Sequence, residues 1–155
     1  GDTLRMAVQA GSRASAGGPA AAEDRLRILI VDDDEMVRSG LEKELGAMPE
    51  YAVRTAGDGY RAGRLLTEFR PHLMILDLLM EGLDGFDVCL DVKSSPTLRE
   101  TRILVLTGYP GGGNVARIER CGADRVLVKP VTAEELRAEI TRLCGRSGAG
   151  PASGG

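Results

Sequence analysis

Histidine is almost absent from these 155 residues: a zinc site or a Ser-His-Asp triad would have to be built around the single imidazole of His72. Neither chemistry is supported, and His72, just before an apolar run, reads as a packed or solvated side chain. Cysteine is scarce too. Cys89, Cys121 and Cys144 are odd in number, widely spaced and unaccompanied by a second Cys or His at metal-site spacing. They read as small apolar fillers in a reduced, cytoplasmic interior. No apolar run approaches the ~20 residues of a membrane helix. Residues 1–24 lack the apolar core of a secretory signal, because Arg5, Gln9, Ser12, Arg13 and Ser15 interrupt their Ala and Gly. No Met leads the chain, which reads as a sign of a fragment or processed form. Positive charge is not in excess either. A net charge of -3 gives no general attraction to nucleic acid or anionic lipid, so neither is expected as a direct partner.

What is present is enough for one soluble domain, with 43% hydrophobic residues to fill a core. Both ends, 1–24 and 146–155, are rich in Gly, Ala, Ser and Pro, too poor in apolar area to offset the entropy of ordering, and are expected to be flexible tails or linkers around a domain at 25–145. Within it, apolar runs at Arg27 to Val31, Leu73 to Leu76, Ile103 to Leu106 and Val126 to Val128 suit strands covered on both faces. A more polar run at Tyr51 to Thr55 suits an edge. Between them the spacing is helical: Val37, Leu41 and Leu45; Ala62, Leu65, Leu66 and Phe69; Phe86 and Leu90; Val115, Ile118 and Cys121; Leu136, Ile140 and Leu143. Thr132 and Glu135 form a capping-box pattern, and Gly145 can close the last helix. Five strand–helix repeats predict an α/β fold, a doubly wound parallel sheet.

Ligands of such sheets bind beyond the carboxyl ends of the strands. There stand Asp32, Asp33 and Asp34 after the first run, Asp77 after the third strand, Thr107 after the fourth and Lys129 after the fifth. Two like charges ~4 Å apart repel by ~4 kcal/mol at an effective dielectric near 20, so clustered carboxylates call for protonation or a cation. Oxygen donors without Cys or His favour magnesium, or manganese, over zinc. An aspartate can itself attack phosphorus and form an acyl phosphate, with an ammonium and a hydroxyl to support the phosphoryl oxygens. Asp34, just ahead of a helix, suits an N-cap better than a metal ligand. Gly111, Gly112 and Gly113 are followed by no Gly-Lys-Ser/Thr and read as a flexible loop, not a phosphate loop. Asp84 and Gly85 read as a turn opening the third helix.

These residues resemble the receiver domains of two-component response regulators, chemotaxis regulators among them. The resemblance covers roughly Arg27 to Leu143. It rests on Ile-Leu-Ile-Val-Asp-Asp-Asp at Ile28 to Asp34, Ile-Leu-Asp-Leu-Leu-Met at Ile75 to Met80, Asp-Gly at Asp84 and Gly85, Leu-Thr-Gly at Leu106 to Gly108, and Val-Lys-Pro at Val128 to Pro130. It implies a flavodoxin-like five-stranded sheet of order 2-1-3-4-5 with five helices. It further implies Asp77 as phosphoacceptor, magnesium on Asp33 directly, on Asp32 through water, on Asp77 and on the Leu79 backbone carbonyl, and supporting roles for Thr107 and Lys129. A cis Lys129–Pro130 bond is implied as well. The expected function is phosphoryl transfer from a histidine kinase or phosphotransfer protein to Asp77. A downstream partner would then read the face made by the fourth helix, fifth strand and fifth helix. The chain would be no enzyme beyond its own phosphorylation and dephosphorylation. Two positions depart from the pattern: Glu81 stands where the family usually has Pro, and Val126 where it usually has Tyr or Phe. They motivate an alternative, a pseudo-receiver that binds partners without phosphorylation. An aspartyl-phosphate phosphatase is disfavoured, because Leu79 occupies the place of that class's second Asp.

Overall fold

The computed structural model describes residues 25–80, 83–108 and 120–145. In chain order the elements are β1 (Leu26–Val31), α1 (Glu35–Gly46), β2 (Tyr51–Ala56), α2 (Gly59–Glu68), β3 (Leu73–Asp77), β4 (Leu79–Met80), β5 (Leu83–Asp84), α3 (Gly85–Ser94), β6 (Arg102–Thr107), β7 (Arg125–Val128) and α4 (Ala133–Cys144). Five strands form one parallel sheet in the order β2-β1-β3-β6-β7, while β4 and β5 make a separate antiparallel pair. With that hairpin set aside, the order is the expected 2-1-3-4-5.

The period-2 geometry of strands divides the core into two layers. Leu29, Val31, Met74, Leu76, Ile103 and Val105 face one way, against Ala62, Leu65 and Leu66 of α2 and Phe86, Cys89 and Val92 of α3. Ile28, Ile30, Leu73, Ile75, Leu104 and Leu106 face the other, against Leu45 of α1 and Leu136 and Ile140 of α4. Every residue of β3 is buried, as its unbroken apolar run requires at the centre of a doubly covered sheet. At one edge β2 mixes buried, half-buried and exposed residues, as its polar run suggested.

Three local expectations need correction. β7 is not covered on both faces: it is the other edge of the sheet, and Val128 is 50% exposed. On α3, Leu90 is 46% exposed and the buried stripe runs through Phe86, Cys89 and Val92 instead. Asp84 lies in β5, so the helix opens at Gly85 without a turn between them. Gly85 is needed there for space, since a Cβ would come within 2.9 Å of the Leu78 Cα. The expected fourth helix falls on residues 109–119, outside the described residues apart from its helical end at Arg120 and Cys121. The same holds for the two tails, 1–24 and 146–155, for Glu81, and for Gly111 to Gly113.

Helix ends follow the sequence. Asp34 caps α1, its side chain accepting from the Met36 and Val37 N–H groups, so it serves as a cap as read. Thr132 and Glu135 complete the capping box of α4, and Gly145 closes that helix in the left-handed region at φ 65°. His72 is a packing residue: its Nδ1 accepts from the Arg27 N–H at 2.9 Å, joining β1 to the start of β3.

Candidate functional site

The site forms where β1 and β3 lie side by side at the centre of the sheet. Val31 is paired with Leu76, so the next residues, Asp32 and Asp77, emerge together from adjacent strand ends. Thr107 ends β6, one residue beyond Leu106, the register partner of Asp77. Lys129 follows β7, and its N–H donates to the Thr107 carbonyl at 2.8 Å, which ties the lysine to that same edge. The Lys129–Pro130 bond is cis, as the resemblance implied.

Carboxylate oxygens of Asp32, Asp33 and Asp77 all lie within 4.8 Å of one another. Asp32 and Asp77 are only 2% and 6% exposed, whereas Asp33 is exposed and opens the cluster to solvent. Lys129 Nζ stands 3.5 Å from Oδ2 of Asp32 and 3.5 Å from Oδ2 of Asp77. That separation is long for a charge-assisted hydrogen bond, so the ammonium balances the pair as a charge. Thr107 is 1% exposed at the same edge.

Asp32 is held on several sides. Its N–H donates to the Ala56 carbonyl at 3.1 Å, its carbonyl accepts from Arg38 Nη1 at 2.7 Å, and its Oδ1 accepts from the Asp34 N–H at 2.9 Å. Its Oδ2 is buried and receives no hydrogen bond. Burial pushes the Asp32 carboxyl above the usual carboxylate range, and the Asp77 charge adds to this; the Asp34 N–H and Lys129 pull the other way without cancelling it.

This is a donor set that fits a hard divalent cation. It offers three carboxylates, no nitrogen or sulfur ligand, and a buried oxygen lacking a donor. Two oxygens across a magnesium ion are ~4.2 Å apart, twice the usual bond length, so a cluster within 4.8 Å needs little closure. The structure thus gathers the carboxylates of Asp32, Asp33 and Asp77 within 4.8 Å, sets Lys129 beside Asp32 and Asp77, and ends β6 at Thr107 on the same sheet edge. Leu79 lies two residues past Asp77, in β4. The sequence reading missed Arg38, whose spacing on α1 marks it only as a helix residue.

A five-stranded 2-1-3-4-5 sheet with an acidic cluster and a lysine at its carboxyl edge defines a flavodoxin-like α/β module, and residues 28–141 match the family described as response regulator receiver domain. The chain belongs to that family, within two-component signal transduction. It is 40% identical over 123 residues to the response regulator MprA of Mycobacterium leprae, an alignment covering 79% of this chain and 52% of that protein. The chain therefore spans about half the length of the curated relatives it matches. Among solved structures it resembles the signal receiver domain of a DNA-binding response regulator from Colwellia psychrerythraea 34H, with a TM-score of 0.72 and 32% identity over 78% of this chain and 99% of that one. It also resembles the Vibrio cholerae chemotaxis protein CheY4, with a TM-score of 0.71 and 29% identity over 76% and 98%. Among the described residues no helix is long and apolar enough to cross a membrane.

Proposed function

We infer that this chain takes a phosphoryl group on Asp77 from a histidine kinase or phosphotransfer protein in the cytoplasm, with magnesium bound. The observation that carries the reading is the trio of Asp32, Asp33 and Asp77 beside Lys129. An Asp77 oxygen attacks phosphorus, the bond from phosphorus to the donor's imidazole or acetate oxygen breaks, and an acyl phosphate forms. Asp32, Asp33, Asp77 and the Leu79 carbonyl are the groups assigned to hold the ion. When bound, magnesium offsets the carboxylate charge and draws electron density from the phosphoryl oxygens. Lys129 neutralises charge on Asp77 and its phosphate, and the Thr107 hydroxyl donates to a phosphoryl oxygen. The chain is no enzyme toward other substrates on this reading.

The new group carries ~1.5 to 2 negative charges at neutral pH in place of the carboxylate's single one, which biases an existing equilibrium between inactive and active forms. The face assigned to the downstream partner comprises β7, α4 and the expected helix before β7. Nucleic acid is left out of this segment's role because its charge offers no electrostatic footprint.

Incubation with acetyl phosphate and magnesium, followed by intact mass measurement, tests the transfer. One phosphoryl adduct that disappears in Asp77→Asn and without magnesium supports it; no adduct in the wild type overturns it. The pseudo-receiver reading draws on Val126, half-buried against the core with no ring to swing inward. It would follow from the lack of an adduct together with no site-wide NMR shifts on adding magnesium and beryllofluoride.

A further inference from the structure

The acidic loop has to hold two carboxylates close together before any cation arrives, although Asp33 is exposed. Its position therefore depends on the backbone that carries it. The peptide plane joining Asp32 to Asp33 is fixed at its carbonyl, where Arg38 Nη1 donates at 2.7 Å. A change of the Asp32 ψ angle that broke this bond would reorient Asp33 and its carboxylate. Other bonds anchor the loop on either side of that plane: the Asp32 N–H bonds the end of β2, the Asp32 Oδ1 accepts from the Asp34 N–H, and the Asp34 carbonyl accepts from the Arg38 N–H at 2.9 Å.

The guanidinium is itself confined. It lies across the turn between β2 and α2, and a Cβ on Gly57 would sit 2.7 Å from Nη1 and 3.1 Å from Cζ. A side chain at Gly57 would therefore displace the guanidinium, the flexible end of Arg38. Arg38 spans the loop from α1 while leaning on that turn, so two connections of the sheet hold one peptide plane. Its positive charge next to an acidic cluster adds a modest attraction, but the short carbonyl bond is directional in a way a distant charge is not.

We propose that Arg38, seated over Gly57, is a positioning residue that presets Asp33 for a divalent cation. The inference rests on the magnesium reading given above. Outer-shell partners that orient metal ligands typically change metal affinity by 10–100-fold when lost. Arg38→Met removes the donor and the charge. Gly57→Ala keeps both the arginine and its charge but pushes the guanidinium from its seat, which separates geometry from electrostatics. Arg38→Lys keeps the charge with a different donor geometry.

Magnesium titrations followed by backbone amide NMR on the whole chain provide the test. Wild type is expected to bind. Arg38→Met and Gly57→Ala are expected to weaken magnesium about tenfold, with Arg38→Lys between. In metal-free spectra the changed amides should be confined to Asp32, Asp33, Asp34 and the turn at Gly57. At saturating magnesium the variants should form the acetyl phosphate adduct at close to the wild-type rate, because Asp77 and Lys129 are untouched. Wild-type magnesium affinity in Arg38→Met and Gly57→Ala would overturn the proposal. So would a loss in one variant that accompanies collapse of the whole sheet's dispersion while the other binds normally. A wild type that shows no magnesium shifts would instead remove the reading on which the proposal stands.

Discussion

At the scale of single residues, the Asp32 side chain shows how burial and function oppose each other. Three of its polar groups are engaged, and Oδ2 is left buried near the Asp77 carboxylate and the Lys129 ammonium. Its pKa is raised in the folded state, mainly by burial, above the ordinary 3.8. The native chain consequently binds more protons than the unfolded chain between that value and the raised one. The stability this contributes is full below 3.8 and is lost as pH rises through the folded value. Asp32→Asn is expected to make the metal-free protein more stable at neutral pH by about 1 kcal/mol, a fraction of the ~4 kcal/mol that two close charges can cost. It should also flatten the fall in stability above pH 4, and urea unfolding of both proteins across that range measures it. Equal slopes would show that Asp32 is not a strained carboxylate. His72 makes the reverse point: the one imidazole accepts the Arg27 N–H at the start of β3, the end of that strand opposite the acidic edge.

Elements were legible where a local rule decides them. Continuous apolar runs produced β1, β3 and β6, and the capping box announced α4 because its two hydrogen bonds depend only on residues three apart. Thr132→Ala is expected to cost about 1 kcal/mol and to fray the first turn of α4; hydrogen exchange at Glu135 reports it, and unchanged protection would deny the cap its role. The reading faltered where two adjacent residues competed for one face. On α3, Leu90 and Cys89 both suit burial, and only the packing of the helix against β3 and β6 selects Cys89. The β4–β5 hairpin escaped notice because two-residue strands are too short to show a period. The apolar run of β7 suggests a doubly covered strand although the strand is an edge, since a run of that length looks the same at an edge as in the centre.

For the molecule as a whole, ligand binding and stability are linked. A cation that binds the folded chain and not the unfolded one stabilises it by ~2.7 kcal/mol at a hundred times its dissociation constant. Magnesium should therefore raise the urea midpoint of the wild type, and this gain should vanish in Asp33→Asn, whose fold is otherwise undisturbed because Asp33 is exposed. An equal gain in both proteins would place the cation elsewhere. Phosphorylation would act at the same scale, since moving an equilibrium from 1:99 to 99:1 takes ~5.5 kcal/mol of differential stabilisation.

By itself the sequence determined the five strands of the main sheet and the helices described between them, which residues end those strands, and, through the types clustered there, the donor set of the site. Those properties are local: side-chain alternation, helical spacing and hydrogen bonds within a turn involve near neighbours. Only the tertiary structure decided that Asp32 and Asp77, 45 residues apart, share one cleft, that Lys129 balances both, and that Arg38 fixes the peptide between the two loop aspartates. Those contacts arise from strand order and register, which follow from how all the apolar faces are buried together.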